Sequence, residues 1–360
     1  MKRQQGQLQT SAHQRANQLA HQRANQRANQ RAFTLVEMLV VGVIIVILIT
    51  LTLVAARMAA NSAKETKTRG TIQKLDVAMQ QIFEMNEDQF RIIKNRIDKD
   101  FPLLDLAERQ RIAAHGIRDW MRMEMPQSWA EVYDSTDPTQ KLEPLEITLD
   151  SGTYSVAESP LLDYYWQEYD RVRQSGKTPS RAALLFLIIQ NLNPEALEAF
   201  HGSEVITGDD GLSVFADAWG NPIQFLRTAP AFHGSDVQPN VLALAGYVPG
   251  TNKENNKKQW TDRYPAGQPL RNAMAQARAM YPDPTDERGG AVGWFLYPLI
   301  YSAGLDGKYG LIDENEDING NPVSPTVGVD GILDPFAFPY GMPFGGHFDN
   351  IHNHQRYKVH

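Results

Sequence analysis

The residue with the clearest chemical consequence is Glu37, which stands in an otherwise uncharged apolar run. That run covers residues 33–54, FTLVEMLVVGVIIVILITLTLV, and Glu37 is its single charge. A carboxylate inside a membrane helix costs about 2.5–3.5 kcal/mol on insertion scales and is a functional-site hypothesis by default. Because Glu37 lies only four residues into the run, a second interpretation stays open, in which its side chain reaches back toward the lipid headgroups.

Histidines near the C-terminus are the next candidates for chemistry. These are His347, His352, His354 and His360. They could chelate a transition metal, but we expect a flexible, partly exposed tail instead. The chain has no cysteine, which excludes disulfides and thiolate metal sites. It also lacks the nucleophile-elbow, phosphate-loop, dinucleotide and His-Glu-x-x-His motifs, so we expect no enzymatic activity.

We expect the apolar run to form a helix that crosses a membrane. Its 22 residues span about 33 Å at 1.5 Å per residue, enough for a hydrocarbon core. The preceding residues 1–32 repeat the unit Gln-Arg-Ala-Asn and carry six basic residues and no acidic one, which favours a disordered segment held on the cytoplasmic side. Without those six, 29 Lys and Arg face 42 Asp and Glu, so the body is acidic and we expect no nucleic-acid partner.

The junction of these two segments resembles the class III signal of type IV prepilins and type II secretion pseudopilins. The resemblance rests on Arg-Ala followed by Phe-Thr-Leu-Val-Glu-Met-Leu-Val-Val, in which a small residue precedes the apolar run. It implies that prepilin peptidase cuts between Ala32 and Phe33 and methylates the new amino group of Phe33. Glu37 then takes the fifth mature position, where its carboxylate meets a neighbouring subunit's N-terminal ammonium. The family usually has glycine where this chain has Ala32, and the leader is long for the family.

Two later motifs resemble segments of major pseudopilins. Residues 217–225, DAWGNPIQF, resemble an Asp-Pro-Trp-Gly-Asn-Pro-Tyr segment, and by themselves predict a Gly-Asn-Pro turn anchored by Trp219. Residues 302–317, SAGLDGKYGLIDENED, resemble a calcium-binding loop of those proteins. The candidate ligands are the side chains of Asp306, Asp313 and Asp317 with the carbonyl of Leu305, since Ca²⁺ prefers six to eight oxygens. The alternative is a solvated acidic turn.

The rest of the chain predicts an α+β fold, in which a long N-terminal helix packs on an antiparallel β-sheet with a mostly helical insertion between them. Ile72, Leu75, Met79 and Ile82, and then Phe90, Ile93 and Ile97, form one apolar stripe of a helix that continues through Gly70. Helices are predicted at 159–174 and at 180–192, the second with Ser180 as N-cap and with Ala182–Ile189 as buried core. Tyr164, Tyr165, Trp166 and Tyr169 are expected in the core, with a partner surface as the alternative. From about residue 212 short strands are expected, two of them around a turn at Trp219–Pro222 and others at 240–248 and 292–304.

These patterns predict six segments. They are a cleaved leader (1–32), a transmembrane assembly helix (33–56), its amphipathic continuation (57–99), a mostly helical insertion (100–210), an antiparallel β domain (211–335) and an irregular tail (336–360). The function they indicate is a structural subunit, minor or at the tip, of a type II secretion pseudopilus or type IV pilus-like filament. We expect a single-pass protein of the cytoplasmic membrane with a periplasmic body, which then enters the filament. The alternative is a membrane-anchored extracytoplasmic binding protein or enzyme that uses the signal for export.

Overall fold

The computed structural model describes residues 34–149, 152–232, 234–238, 255, 258, 296–312, 342, 344 and 349–355. The chain divides into two compact units, Met1–Ala60 and Asn61–His360. The helices are α1 (Leu35–Asp100), α2 (Leu106–Glu124), α3 (Pro160–Gln174) and α4 (Ala182–Leu192). The strands are β1 (Tyr133–Asp134), β2 (Asp137–Lys141), β3 (Ile147–Leu149), β4 (Gly152–Tyr154), β5 (Val205–Thr207), β6 (Ser213–Phe215), β7 (Gln224–Leu226), β8 (Leu299–Ser302) and β9 (Ile351–His352).

Helix α1 contributes one face to the core of the second unit. Its buried apolar residues are Ile72, Leu75, Ala78, Met79, Ile82, Ile93 and Ile97. The predicted stripe is therefore confirmed, with Phe90 half-buried at its edge. The helix runs through Gly70, where an added Cβ would meet no other atom within 4 Å. Spacings of three and four residues place these side chains on one face, which is why they enter the core together.

Polar anchors flank the buried face of α1. The side chain of Thr71 donates to Glu204 Oε1 at 2.5 Å, and Lys74 Nζ contacts both carboxylate oxygens of Glu204 at 3.0 and 2.9 Å. Glu204 also accepts from the backbone N–H of His201 at 2.8 Å. These charge-assisted bonds satisfy a carboxylate that is 3% exposed, and they join the segment before β5 to α1.

Helices α2, α3 and α4 follow α1, and local caps define where two of these three begin. Asp105 accepts from the N–H of Glu108 at 2.8 Å at the start of α2, and Ser159 caps α3, which begins with Pro160. The predicted cap of α4 is wrong. The cap position is Arg181, without a side-chain cap bond, and the backbone N–H of Ser180 donates to Asp210 Oδ2 at 2.6 Å.

The apolar stretch in α4 is buried core, as predicted. Its buried residues are Ala182, Ala183, Leu184, Leu185, Leu187, Ile188 and Ile189. Of the four aromatic residues on α3, Tyr165 and Tyr169 are buried, whereas Tyr164 and Trp166 are only partly so. The α3 aromatics thus divide into two core residues and two that keep part of their surface in solvent.

The strands form small antiparallel sheets, which confirms the α+β class. In the part of the chain that the structure describes, β1–β2, β3–β4 and β5–β6 are pairs, and β7–β8–β9 is a three-stranded sheet. The turn predicted at Trp219–Pro222 is present, since Ala216 pairs with Pro222 and the N–H of Ile223 donates to Phe215 O at 2.8 Å. Strand β8 lies within the predicted 292–304 segment. The strand predicted at 240–248 lies outside the described residues.

A buried ion pair connects the segment that follows α2 to the residue that follows β7. Arg227 Nη1 and Nη2 donate to the two carboxylate oxygens of Glu131 at 2.9 and 2.8 Å, and Nη1 also donates to Met125 O at 2.7 Å. Both side chains are under 10% exposed. A bidentate Arg–carboxylate pair fixes orientation as well as distance, so it holds these segments in one arrangement.

Candidate functional site

The N-terminal helix begins with a reciprocal cap made by Thr34 and Glu37. Glu37 Oε2 accepts from the backbone N–H of Thr34 at 2.8 Å and from its hydroxyl at 3.0 Å. The N–H of Glu37 in turn donates to Thr34 Oγ1 at 3.2 Å, and the N–H of Met38 donates to Thr34 O at 3.1 Å. This is a capping box, in which a Thr and a Glu three residues later satisfy each other's free helix-end donors. The Thr-x-x-Glu spacing was visible in the sequence and was missed.

The apolar part of α1 is exposed on all sides. Its most apolar 18-residue window has a mean hydropathy of 3.1 and none of it is buried. A core helix of a soluble protein would hide such residues, whereas lipid can cover all of them. Its two threonines satisfy their own hydroxyls: Thr50 donates to Val46 O and Thr52 to Leu48 O, each at 2.8 Å. Such internal bonding suits a helix surrounded by hydrocarbon.

The two motifs of the β region meet in one hydrogen-bonded junction. Asp217 Oδ2 accepts from Ser302 Oγ at 2.6 Å and from Asn221 Nδ2 at 3.0 Å. Asp217 Oδ1 accepts from the backbone N–H groups of Trp219 and Asn221 at 2.9 and 2.8 Å. The second amide hydrogen of Asn221 reaches Gly304 O at 2.9 Å. Asp217 is 2% exposed, so these bonds account for a buried carboxylate.

The loop after β8 holds two of the predicted calcium ligands. Leu305 and Asp306 are exposed in a 3-10 turn, and Asp306 Oδ1 accepts from the N–H of Lys308 at 2.8 Å. The N–H of Asp306 donates to Asp349 Oδ2 at 2.9 Å, a contact that the sequence did not reveal. Asp313 and Asp317 lie outside the described residues.

The described residues alone do not make a calcium site. Among them, no group of three or more carboxylates and histidines is placed to hold a metal ion. The oxygens near Asp306 are of the kind that Ca²⁺ prefers, but they fall short of six to eight ligands. Calcium at this loop therefore stays a prediction.

Comparison with known families decides the nature of the N-terminus. Residues 27–53 match the family model described as the prokaryotic N-terminal methylation motif. This chain carries a prepilin-type signal. The match covers the proposed cleavage position, the Thr34–Glu37 cap and nearly all of the exposed apolar segment. Searches of the curated proteins and of the solved structures gave no match.

Within the prepilin-type signal, the structure describes some of the predicted residues and not others. Glu37 lies in the first turn of α1, whereas Ala32 and Phe33 fall outside the described residues. Cleavage between Ala32 and Phe33 and methylation of Phe33 stay predictions. Thr34 is the residue that sequence reasoning missed at this site. After the predicted cleavage its N–H is the first backbone amide of the chain, and it donates to Glu37 Oε2.

The C-terminal histidines require a correction. His352 belongs to β9, which pairs with β8, and His352 and His354 are 6% and 0% exposed, so this part of the tail is neither irregular nor exposed. Both rings pack edge-on against Phe232, and His354 Nε2 lies 3.0 Å from Pro298 O. Burial lowers the pKa of His354 to about 4. His347 and His360 lie outside the described residues.

Proposed function

We propose that this chain is a structural subunit of a type IV pilin-like filament or a type II secretion pseudopilus. The observation that carries the proposal is the methylation motif at residues 27–53, which coincides with a helix segment whose apolar side chains are all exposed. In this proposal, prepilin peptidase removes residues 1–32 and the helix holds the subunit in the cytoplasmic membrane. The body lies in the periplasm until the subunit enters the filament, where neighbouring helices cover the apolar surface.

Glu37 is the proposed contact for assembly. In the single chain, Oε2 of Glu37 takes both hydrogen bonds from Thr34, and Oε1 accepts none from the described residues. Oε1 is therefore available to a cation from another subunit. The N-terminal ammonium of a processed Phe33 is such a cation, and pairing would offset the cost of burying both charges and set the axial stagger between subunits.

The assembly role can be separated from the capping role by one substitution. Glu37→Gln keeps an oxygen acceptor for Thr34, because glutamine also serves in a capping box, but it removes the negative charge. Glu84→Gln, an exposed position on the same helix, is the matched control. We expect Glu37→Gln to reach the membrane at normal levels and to be lost from sheared filaments, while Glu84→Gln enters them normally.

Two outcomes of this experiment would contradict the proposal. If Glu37→Gln enters filaments as well as the parent protein, the carboxylate serves only as a helix cap. If the parent protein itself is never found in filaments while its body stays membrane-anchored, the chain is an anchored extracytoplasmic binding protein instead.

A minor or tip position, without catalytic activity, is the finer part of the proposal. Its support is the size of the region between α1 and β5, which holds three helices and two strand pairs. Such a body is difficult to repeat at every position of a tight helical filament. Immunogold labelling tests this directly: sparse label at filament ends supports a tip subunit, and continuous label along the shaft contradicts it.

Calcium at the loop after β8 is also a proposal, which Asp306 and its neighbour Asp349 support. If Ca²⁺ binds there, CaCl₂ raises the melting temperature of the parent protein and MgCl₂ does so less. Asp306→Asn should abolish that rise. An equal rise in the variant would place any calcium elsewhere.

A further inference from the structure

A groove in the second unit lies between β2, residues 142–146 and α3. Its volume is about 500 Å³, within the range of ligand-binding clefts. The aromatic side chain on its wall is Trp166, and the polar ones belong to Asp134, Thr139, Gln140, Lys141, Glu143 and Glu146. None of these residues belongs to the prepilin-type signal or to the hydrogen-bonded junction of Asp217, Asn221 and Ser302, so the groove is a separate feature of the body.

Trp166 is held in the groove wall by a stack of aromatic rings. Its ring packs on Tyr169 with centroids 5.6 Å apart, and Tyr169 packs on Tyr133 at 4.6 Å. Tyr169 is buried, whereas Trp166 keeps part of its surface in solvent. A partly exposed indole in a fixed position is the best side chain for binding a cation over a ring face.

The positive charge in the groove is already neutralised. Lys141 Nζ contacts Asp163 Oδ1 at 2.6 Å and also forms an ion pair with Glu158. These two carboxylates raise the pKa of Lys141, although partial burial opposes them. Lys141 is therefore engaged with its own neighbours and leaves the other carboxylates of the groove uncompensated.

Backbone donors along one wall of the groove also point away from it. The N–H of Leu142 donates to Val132 O at 2.9 Å, and the N–H of Leu145 donates to Asp119 Oδ2 at 2.8 Å. Pro144 has no N–H to offer. This wall therefore presents few donors to a ligand.

The remaining polar groups of the groove are mostly hydrogen-bond acceptors. The carboxylates of Glu143 and Glu146 are exposed and accept no hydrogen bond from the residues that the structure describes. Asp134 uses Oδ1 for the two donors of Thr136, and those bonds lower the pKa of Asp134, so it is ionised near neutral pH. A sugar hydroxyl needs donors as well as acceptors, whereas ammonium and guanidinium groups need only acceptors. The groove is thus complementary to a cation.

The edge of β2 favours a cation that is carried by an extended peptide segment. β2 pairs with β1 on one side, and no described strand pairs with its other side. Thr139, Gln140 and Lys141 of β2 line the groove. The N–H of Thr139 is already bonded to Asp137 Oδ1 at 3.0 Å and Pro138 has no N–H, so this edge offers main-chain carbonyl acceptors more than donors. Main-chain hydrogen bonds of a strand edge to an extended segment are a recurrent mode of peptide recognition.

We infer that this groove binds an extended, lysine- or arginine-bearing segment of a partner protein, with the cationic side chain between Trp166 and the carboxylates of Glu143 and Glu146. The inference goes beyond the filament proposal and does not depend on it, because the groove belongs to the body of a single chain.

Isothermal titration calorimetry on the full chain in detergent micelles tests the inference at low salt. The probe is acetyl-Ala-Arg-Ala-Arg-Ala-amide, compared with the same peptide containing citrulline, which keeps the shape and loses the charge, and with spermidine. The variants are Glu143→Gln with Glu146→Gln, and Trp166→Leu. The control is Glu84→Gln with Glu87→Gln, two exposed carboxylates on α1 that change the net charge equally.

We expect saturable binding of the arginine peptide that falls about five- to tenfold in Glu143→Gln/Glu146→Gln, and about threefold in Trp166→Leu. The control variant should change the affinity less than about twofold. If the citrulline peptide binds as tightly as the arginine peptide, the groove does not recognise the positive charge. Equal weakening in the control would reduce the effect to overall charge, and spermidine binding as tightly as the peptide would exclude a peptide-specific groove. Any of these results, or no saturable binding, overturns the inference.

Discussion

Gly304 lies in the hydrogen-bonded junction of Asp217, Asn221 and Ser302, and an added methyl group there should destabilise the junction most. Its φ is +68°, in the left-handed region that favours glycine. A Cβ added there would lie 2.3 Å from the backbone oxygen of Asp349 and 3.0 Å from its carbonyl carbon. Both atoms belong to the main chain just before β9, so they cannot move aside as a flexible side chain would.

The cost of Gly304→Ala has two parts that a matched glycine can separate. The left-handed backbone alone costs alanine about 1–2 kcal/mol. Gly176, after α3, has a similar φ of +75° but no atom within 4 Å of an added Cβ, so Gly176→Ala measures that part alone. Overpacking adds about 1–3 kcal/mol at Gly304. We therefore expect Gly304→Ala to lose about 2–5 kcal/mol of the free energy of unfolding.

Urea unfolding of the full chain in detergent, followed by circular dichroism, compares the two variants. Hydrogen exchange gives a local readout, because the N–H of Asp306 donates to Asp349 Oδ2 and should exchange faster once Asp349 is displaced. If Gly304→Ala and Gly176→Ala lose the same stability and Asp306 keeps its protection, the described contact between the loop and the C-terminal segment is wrong.

Three further predictions concern the helix cap, the buried ion pair and the buried histidine. Thr34→Val should cost the start of α1 about 1 kcal/mol, seen as faster hydrogen exchange at Met38, and unchanged exchange would show that the cap does not form. Arg227→Met should lose about 3–5 kcal/mol because it leaves Glu131 buried and unpaired, and adding Glu131→Leu should recover part of that loss in urea unfolding. The pKa of His354 is lowered on folding to about 4, so neutral imidazole favours the folded state. Stability should fall by up to about 3 kcal/mol as pH drops from about 6.5 to about 4, and His354→Asn should flatten this dependence if the assignment is right.

Features fixed by local sequence were predictable. The exposed apolar segment of α1 and the buried stripe from Ile72 to Ile97 both follow from the spacing of apolar residues along one helix. The turn between β6 and β7 follows from its Gly-Asn-Pro sequence, which few other conformations accommodate. The Thr34–Glu37 cap was equally local, and its signature was present but not used.

Features that depend on distant residues were not predictable. The hydrogen bond from the backbone N–H of Ser180 to Asp210 spans 30 residues, so no short window of sequence indicates it. β8 and β9 pair across a long separation in sequence, which buries His352 although its surroundings are rich in Gly and Pro. Pairing of this kind depends on tertiary packing and leaves little signal in short windows of sequence.

Mass spectrometry of the N-terminus shows whether this chain is a substrate of prepilin peptidase. The protein is purified from cells with and without the peptidase, and its N-terminal peptide is sequenced. We expect N-methylated Phe33 as the first residue only when the peptidase is present, with residues 1–32 retained in its absence. An intact leader in both strains, or cleavage after Val54, would contradict it.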